Sequence, residues 1–478
     1  MNYLCTEYYL LLFLTLILYY IIPKGKQWIA LLIGSAVFYC LVAADLMQVC
    51  LFLATIVLSF LGARMIERSK EEKQRRFMLW AFIILTAAPL LLLKGKDFLP
   101  APDSGRFSLI VPVGLSFYTL QIIAYLADVY RNKIAAQRNL FKYALFISFF
   151  PQIIQGPIPR YEQLGSQLFG GARFRMENIV RGSQRILWGL FLKLMIADKA
   201  AVAVNEIFDN YRMYAGAYIW IAGILYSLQL YTDFLSCTTL AQGASELFGI
   251  EIIDNFNHPY FAVSVQDFWR RWHISLSTWL KDYVYIPLGG SRAGKLRKYI
   301  NLFITFLISG FWHGEGVKFI FWGLLHAVYQ IVGSITRKGR DRLYEMLLMP
   351  KGTFAWKLYR TIGTFFWVML AWIIFRAEGL RAGLHMIRSM FTVYNPWILL
   401  NGALTSIMPY QQWELLAAAL FVLFTVSRAQ EKTEVRNWIA QQHITIRWGL
   451  ALVCIAVILV FGTYGLGYDA QAFIYGGF

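Results

Sequence analysis

Two stretches of this chain carry the residue types that acid–base chemistry needs. The first is QDFWRRWHISLSTWLKDYVYIPLGG, Gln266 to Gly290, and contains His273. The second, GFWHG from Gly310 to Gly314, contains His313 and lies some forty residues further on. Both sit in a chain that is otherwise mostly apolar. An ionisable side chain held in or beside a bilayer is costly and points to function by default. A neutral imidazole at His313, beside Trp312 and flanked by Gly314 and Gly316, is suited to general-base work. It could take the proton of a hydroxyl that attacks a thioester. A histidine that packs or caps between helices explains the same residues equally well. His273 has Trp269, Leu276 and Leu280 at i−4, i+3 and i+7, so a helix there would turn it away from bulk water. It could bind substrate or orient a second group, but a polar residue at an interface is the plainer reading.

Around His273 lie Arg270, Arg271, Lys281, Arg292, Lys295, Arg297 and Lys298. Such a belt attracts an anionic donor such as a coenzyme A thioester, and it attracts anionic lipid headgroups by the same charge. Asp128, Asp198 and Asp233 fall in or near apolar segments, with Lys193 and Lys199 as available cations. His326 follows His313 by one segment and reads as a supporting group. No GxSxG, HExxH, P-loop or metal-ligand pattern is present, so neither a metal site nor a permanently bound cofactor is expected. The five cysteines, Cys5, Cys40, Cys50, Cys237 and Cys454, lie in apolar segments and read as small core residues.

The elements that must position these residues are membrane helices. Of 478 residues 58% are hydrophobic and only 15% charged, which excludes an ordinary soluble domain. The aromatic share, 17%, fits interfacial anchoring by Tyr and Trp. The net charge of +18 does not mark a nucleic-acid partner. Its cations cluster in short loops (64–76, 131–138, 291–298 and 336–342) between apolar segments, which is the positive-inside pattern of a protein embedded in membrane lipid. With Lys24 and Lys26 in the cytoplasm, the N-terminus is outside. Spans are expected over Tyr3–Ile22, Trp28–Ala43, Val49–Gly62, Phe77–Leu93, Ser108–Leu126, Ser183–Val204 and Tyr218–Leu235. Others are expected over Thr361–Phe375, Leu384–Leu400, Glu414–Val426 and Trp448–Gly462.

Three regions depart from that plan. Phe141–Arg160 is apolar but holds Pro151, Gly156, Pro157 and Pro159, which predicts a broken or re-entrant segment. Phe268, Trp272, Leu276, Trp279 and Tyr283 recur at helical spacing, which predicts an amphipathic helix lying at the cytoplasmic face or dipping into it. Tyr299–Phe311, too short to cross comfortably, and Val317–Ile335 form a pair that meets at His313–Gly316. The fold class is therefore all-α: a polytopic membrane protein of roughly eleven or twelve spanning or half-spanning helices, in one domain over residues 1–478.

Five segments, in order, resemble the membrane-bound O-acyltransferases (MBOAT proteins), closest to the branch that acetylates alginate and other bacterial polysaccharides. They are VPVGLSFYTLQIIAYLADVYR (Val111–Arg131), FFPQIIQGPIPRYEQL (Phe149–Leu164), GLFLKLMIAD (Gly189–Asp198), DFWRRWHISLSTWLKDYVYIPLGGSR (Asp267–Arg292), and GFWHG with WGLLHAVY (Gly310–Tyr329). The resemblance covers about the middle half of the chain. It sets a family-type core near 108–335 between flanking helices 1–107 and 336–478. It implies a funnel through the membrane with re-entrant segments, His313 as catalytic residue and His273 as its partner. It brings forward Trp269, Arg270, Arg271, Trp272, Ser277, Trp312, Asp233 and His326 as substrate-binding candidates. It also implies an acyl donor from the cytoplasm, acetyl-CoA, and an extracytoplasmic acceptor protein or polysaccharide, in the inner membrane of a bacterium. The segment YTDFLSCTTLAQG (Tyr231–Gly243) keeps Asp233 but lacks the internal glycine and second acidic residue of the alginate branch. The acceptor therefore stays open among alginate, cellulose, peptidoglycan, another exopolysaccharide and teichoic acid, the last with D-alanine as cargo. A transporter without chemistry is the alternative of another class.

Overall fold

The computed structural model of the chain describes residues 3–95, 112–292 and 294–464. Among these the regular structure is entirely helical. Among the described residues six helices are long and apolar enough to cross a membrane: Leu46–Arg68, Glu72–Gly95, Val317–Ile335, Phe354–Arg376, Tyr410–Gln430 and Ile444–Phe461. Thr6–Ile21 and Trp28–Val42 are shorter apolar helices that match the first two expected spans. The first residues of the fifth expected span, 108–111, lie outside the described residues; its helix runs Leu115–Tyr130.

Of the other expected spans, Tyr218–Leu235 lies within one longer helix, Ala217–Leu247, while two are shorter or interrupted, for local reasons. The Ser183–Val204 segment is the helix Met176–Phe191, a π-helical turn over Leu192–Ala197 and the helix Asp198–Asp209. In place of Leu384–Leu400 a helix of 13 residues, Leu380–Thr392, ends ahead of Pro396, whose ring cannot continue it. The helix ending in His313 begins at Lys295 and has 19 residues, more than the apolar stretch from Tyr299 suggests. Its first turn is cationic, so hydrophobicity alone misses it.

By internal contacts the described residues divide into two compact units, one of residues up to Ile186 with Cys237–Asp254, the other of Leu187–Ser236 and residues 255–464. In the first, the proline-rich stretch is broken as expected. The helix Leu140–Ser148 gives way to buried turns before a helix at Tyr161–Gly170. Those turns are tied by side chains that satisfy the freed backbone: Tyr3 Oη donates to Pro151 O (2.9 Å), and Phe150 N–H donates to Ser35 Oγ (3.2 Å). The second unit contains both motif histidines.

One expectation is corrected. The amphipathic helix through His273 is two helices of seven residues each, Val265–Arg271 and Ile274–Leu280. Trp272 is extended, and His273 is left-handed at φ 45°, ψ 55°. Apolar periodicity persists across such a break, so spacing alone cannot reveal it.

Candidate active site

His313 is the last residue of the Lys295–His313 helix, where the chain turns into Val317–Ile335. Two close approaches fix that hairpin. A Cβ on Gly310 would lie 2.4 Å from Phe319 O, and one on Gly323 would lie 2.3 Å from Phe306 O, so the backbones meet without side chains between them. Gly316 supplies the positive φ, 87°, that starts the return helix. Asn301 Nδ2 donates to Gly290 O at 3.0 Å and so ties the PLGG turn to the same helix.

His273 is placed by a break whose backbone groups are accounted for. Ser264 Oγ caps the preceding helix by accepting Asp267 N–H at 3.0 Å. At its end Arg271 O accepts from Asn257 N–H (2.9 Å), and Trp272 O accepts from Ser277 Oγ (3.1 Å). The next helix starts with Ile274 N–H on Asn255 O (2.9 Å) and Ser275 N–H on Asn255 Oδ1 (3.1 Å). A left-handed residue with a side chain costs about 1–2 kcal/mol, so the surroundings must hold it.

The two rings stand with centroids 6.5 Å apart and planes at 63°, His273 fully buried and His313 1% exposed. Aromatic rings enclose them. Phe234 meets His273 edge-on at 4.7 Å and Trp312 lies 6.0 Å from it. Trp322 and Phe375 flank His313 at 5.0 and 5.7 Å, and Trp372 stacks on Trp322 at 5.6 Å. His273 lies outside the six candidate spans, and burial pushes its pKa down to about 3, so it is held neutral. Trp269 Nε1 donates to His326 Nδ1 at 3.2 Å, which leaves the proton of a neutral His326 on Nε2. That Nε2 and the indole nitrogens of Trp322 and Trp372 are buried donors with no acceptor among the described residues. Neutral imidazoles beside buried donors suit proton transfer from a hydroxyl and stabilisation of negative charge on a carbonyl oxygen.

The remaining candidates separate into groups. Trp269, Trp272, Trp312 and His326 belong to the ring cluster around the histidines. Ser277 serves the break through Trp272 O, and Arg271 is engaged by Asp267 (3.1 Å). Arg270, Lys281, Arg292, Lys295 and Arg297 are exposed cations. Asp233 belongs to an ion cluster: Lys193 Nζ lies 2.6 Å from its Oδ1 and 2.9 Å from Asp198 Oδ1, all three buried. Its neighbour Phe234 is the residue that touches His273. Lys199 donates instead to Gln412 Oε1 at 2.7 Å, and Asp128 faces Lys133 at 3.7 Å.

Sequence reasoning missed Asn255, Phe234, Trp372 and Phe375. Asn255 offered a signal, a buried-type polar residue in NFNHPY just before the motif; the other three are ordinary apolar residues of distant helices. His258, also left-handed at φ 47°, is half-buried and bonds Asn257 and Gln430. Among the described residues no three His, Cys, Asp or Glu side chains converge to hold a metal ion.

The profile of the MBOAT, membrane-bound O-acyltransferase family, matches residues 31–366. Relatives include a protein named "Probable alginate O-acetylase" from Pseudomonas syringae pv. tomato, 32% identical over 80% of this chain and 73% of its own length. A peptidoglycan O-acetyltransferase of Helicobacter pylori is 35% identical over 71% of this chain and 69% of its own. A teichoic acid D-alanyltransferase of Bacillus subtilis is 28% identical over 65% of this chain and 80% of its own.

Proposed function

Since the chain belongs to the membrane-bound O-acyltransferase family and is a multi-pass membrane acyltransferase, we propose that it carries acetyl from cytoplasmic acetyl-CoA to a hydroxyl outside the membrane. The acceptor would be an extracytoplasmic partner protein or a polysaccharide such as alginate or cellulose. The observation that carries this reading is the buried, ring-enclosed pair His273 and His313, 6.5 Å apart between centroids.

In this scheme His313 takes the proton from the acceptor hydroxyl as its oxygen attacks the thioester carbonyl. The carbon–oxygen bond forms, negative charge collects on the carbonyl oxygen, and the carbon–sulfur bond then breaks. The leaving thiolate takes the proton back from His313, so the enzyme returns unchanged. Neutral His273 positions the thioester or the hydroxyl. The donors on Trp322, Trp372 and His326 are suited to the developing oxyanion. Exposed Arg270, Lys281, Arg292, Lys295 and Arg297 would meet the donor's phosphates at the cytoplasmic face, with the N-terminus outside and the protein in a bacterial inner membrane. Family membership removes the reading as a transporter without chemistry. D-alanyl transfer stands second, favoured by the likeness to a teichoic acid D-alanyltransferase.

The test is transfer in vesicles from labelled acetyl-CoA, with mass spectrometry of the acceptor. Wild type should acetylate a hydroxyl and His313→Ala, still folded, should not. Full transfer by His313→Ala would remove the assignment.

A further inference from the structure

We infer that Asn255 is a positioning residue for His273, and that the short strap Asn255–Asn257 sets the backbone of the motif histidine from outside the motif. The inference rests on the reading of His273 as a functional residue.

The strap holds both sides of the break. On the upstream side, Asn257 N–H donates to Arg271 O at 2.9 Å and ends the first helix. On the downstream side, Asn255 acts twice: its carbonyl takes Ile274 N–H at 2.9 Å and its side-chain Oδ1 takes Ser275 N–H at 3.1 Å. These are first-turn donors of a helix, and the second of them, Ser275 N–H, is one that a residue in the His273 position would ordinarily cap with its own side chain. His273 makes no such side-chain cap. Asn255 thus performs the capping from a distance of eighteen residues, and the imidazole is released from that duty. Between the two asparagines, Phe256 packs edge-on against Trp272 at 5.0 Å and against Phe234 at 5.2 Å. Phe234 is also the ring set against His273. The strap therefore touches the residue before His273, the two after it and the ring beside it.

Without the Oδ1 acceptor, continuous helix through Trp272 and His273 competes with the left-handed break. In that helix the imidazole leaves its place opposite His313. Misplacement of a reacting group by about 1 Å can cost roughly 100-fold in rate. Asn255 is itself only 2% exposed, so solvent cannot replace the lost acceptor.

The test uses the full chain in proteoliposomes and the variants Asn255→Ala, Asn255→Asp, His273→Ala and His313→Ala. Transfer is followed as kcat and KM for acetyl-CoA, and accessibility of His273 by carbethoxylation mapped with mass spectrometry. Asn255→Ala is expected to lower kcat roughly 10- to 100-fold with little change in KM, and to turn His273 from protected to reactive. Asn255→Asp keeps an oxygen acceptor at a helix N-terminus, where Asp caps as well as Asn, and should restore most of kcat and the protection. Wild-type kcat with a protected His273 in Asn255→Ala overturns the inference. Should Asn255→Ala not accumulate, loss in Asn255→Asp as deep as in His273→Ala overturns it. Full transfer by both histidine variants would instead sink the functional reading, and carbethoxylation would still report whether Asn255 holds the break.

Discussion

Lys193 Nζ lies 2.6 Å from Asp233 Oδ1, and the two side chains are each 2% exposed. One residue on, Phe234 presses its edge against His273. A buried ion cluster thus fixes the turn of helix that buttresses the site. Lys193 also holds Asp198 at 2.9 Å, so a single cation serves two carboxylates. Removing it takes a buried positive charge away from both. Lys193→Met should destabilise the protein by roughly 3–5 kcal/mol, read as a lower melting temperature in detergent. The triple change Lys193→Met, Asp198→Asn, Asp233→Asn should recover much of that loss. An unchanged melting temperature in the single variant would refute the role of the cluster.

The helix hairpin behind His313 leaves no room at Gly323, where an added Cβ would sit 2.3 Å from Phe306 O. Gly323→Val should destabilise by about 1–3 kcal/mol through overpacking and abolish transfer by moving His313. Gly333→Ala, on the same helix with open space around it, serves as the control and should behave as wild type.

Trp269→Phe keeps a ring in the cluster and removes the donor to His326 Nδ1. The buried acceptor is then unsatisfied, at a cost of about 1–3 kcal/mol. A double-mutant cycle with His326→Phe should show a coupling of about 1 kcal/mol in thermal or denaturant unfolding. Additive losses would mean that the hydrogen bond contributes nothing.

His273 carries a pH signature. Burial holds it at about 3 in the folded protein against 6.5 ordinarily. As pH falls below about 6.5 the unfolded chain takes the proton first, so stability falls with pH. This contribution is complete above about 6.5 and is lost between there and about 3, by up to ~1.4 kcal/mol per pH unit. His273→Gln should flatten the plot of melting temperature against pH between 6.5 and 4.5. An unaltered slope would show that His273 titrates alike in both states.

The legible part of this molecule is what neighbouring residues encode. The glycines after His313 mark its turn, the prolines of Phe149–Arg160 mark a broken segment, and apolar runs mark where helices lie, though several end well away from the expected bounds. The illegible part depends on residues far apart in sequence. Nothing local forces His273 into a left-handed conformation; the periodicity of Phe268, Trp272 and Leu276 argues for unbroken helix, and Asn255 overrides it through two hydrogen bonds. Asp233 reads from the sequence as pairable with Lys193 or Lys199, and the fold chooses Lys193, forty positions earlier. Trp372 and Phe375 belong to an ordinary apolar helix, and only packing reveals that Phe375 lies against His313 and Trp372 against His326.

The ring cluster has an optical consequence. Trp322 stands between Trp269 at 5.8 Å and Trp372 at 5.6 Å, with Trp272 against Trp372 at 5.1 Å, and all four are buried. Indoles held so close in a fixed, asymmetric array couple their transitions and give a strong near-ultraviolet circular dichroism band. That band vanishes when tertiary packing loosens while helix content stays. The integrity of the site can therefore be watched spectroscopically in the purified protein before any acceptor is in hand.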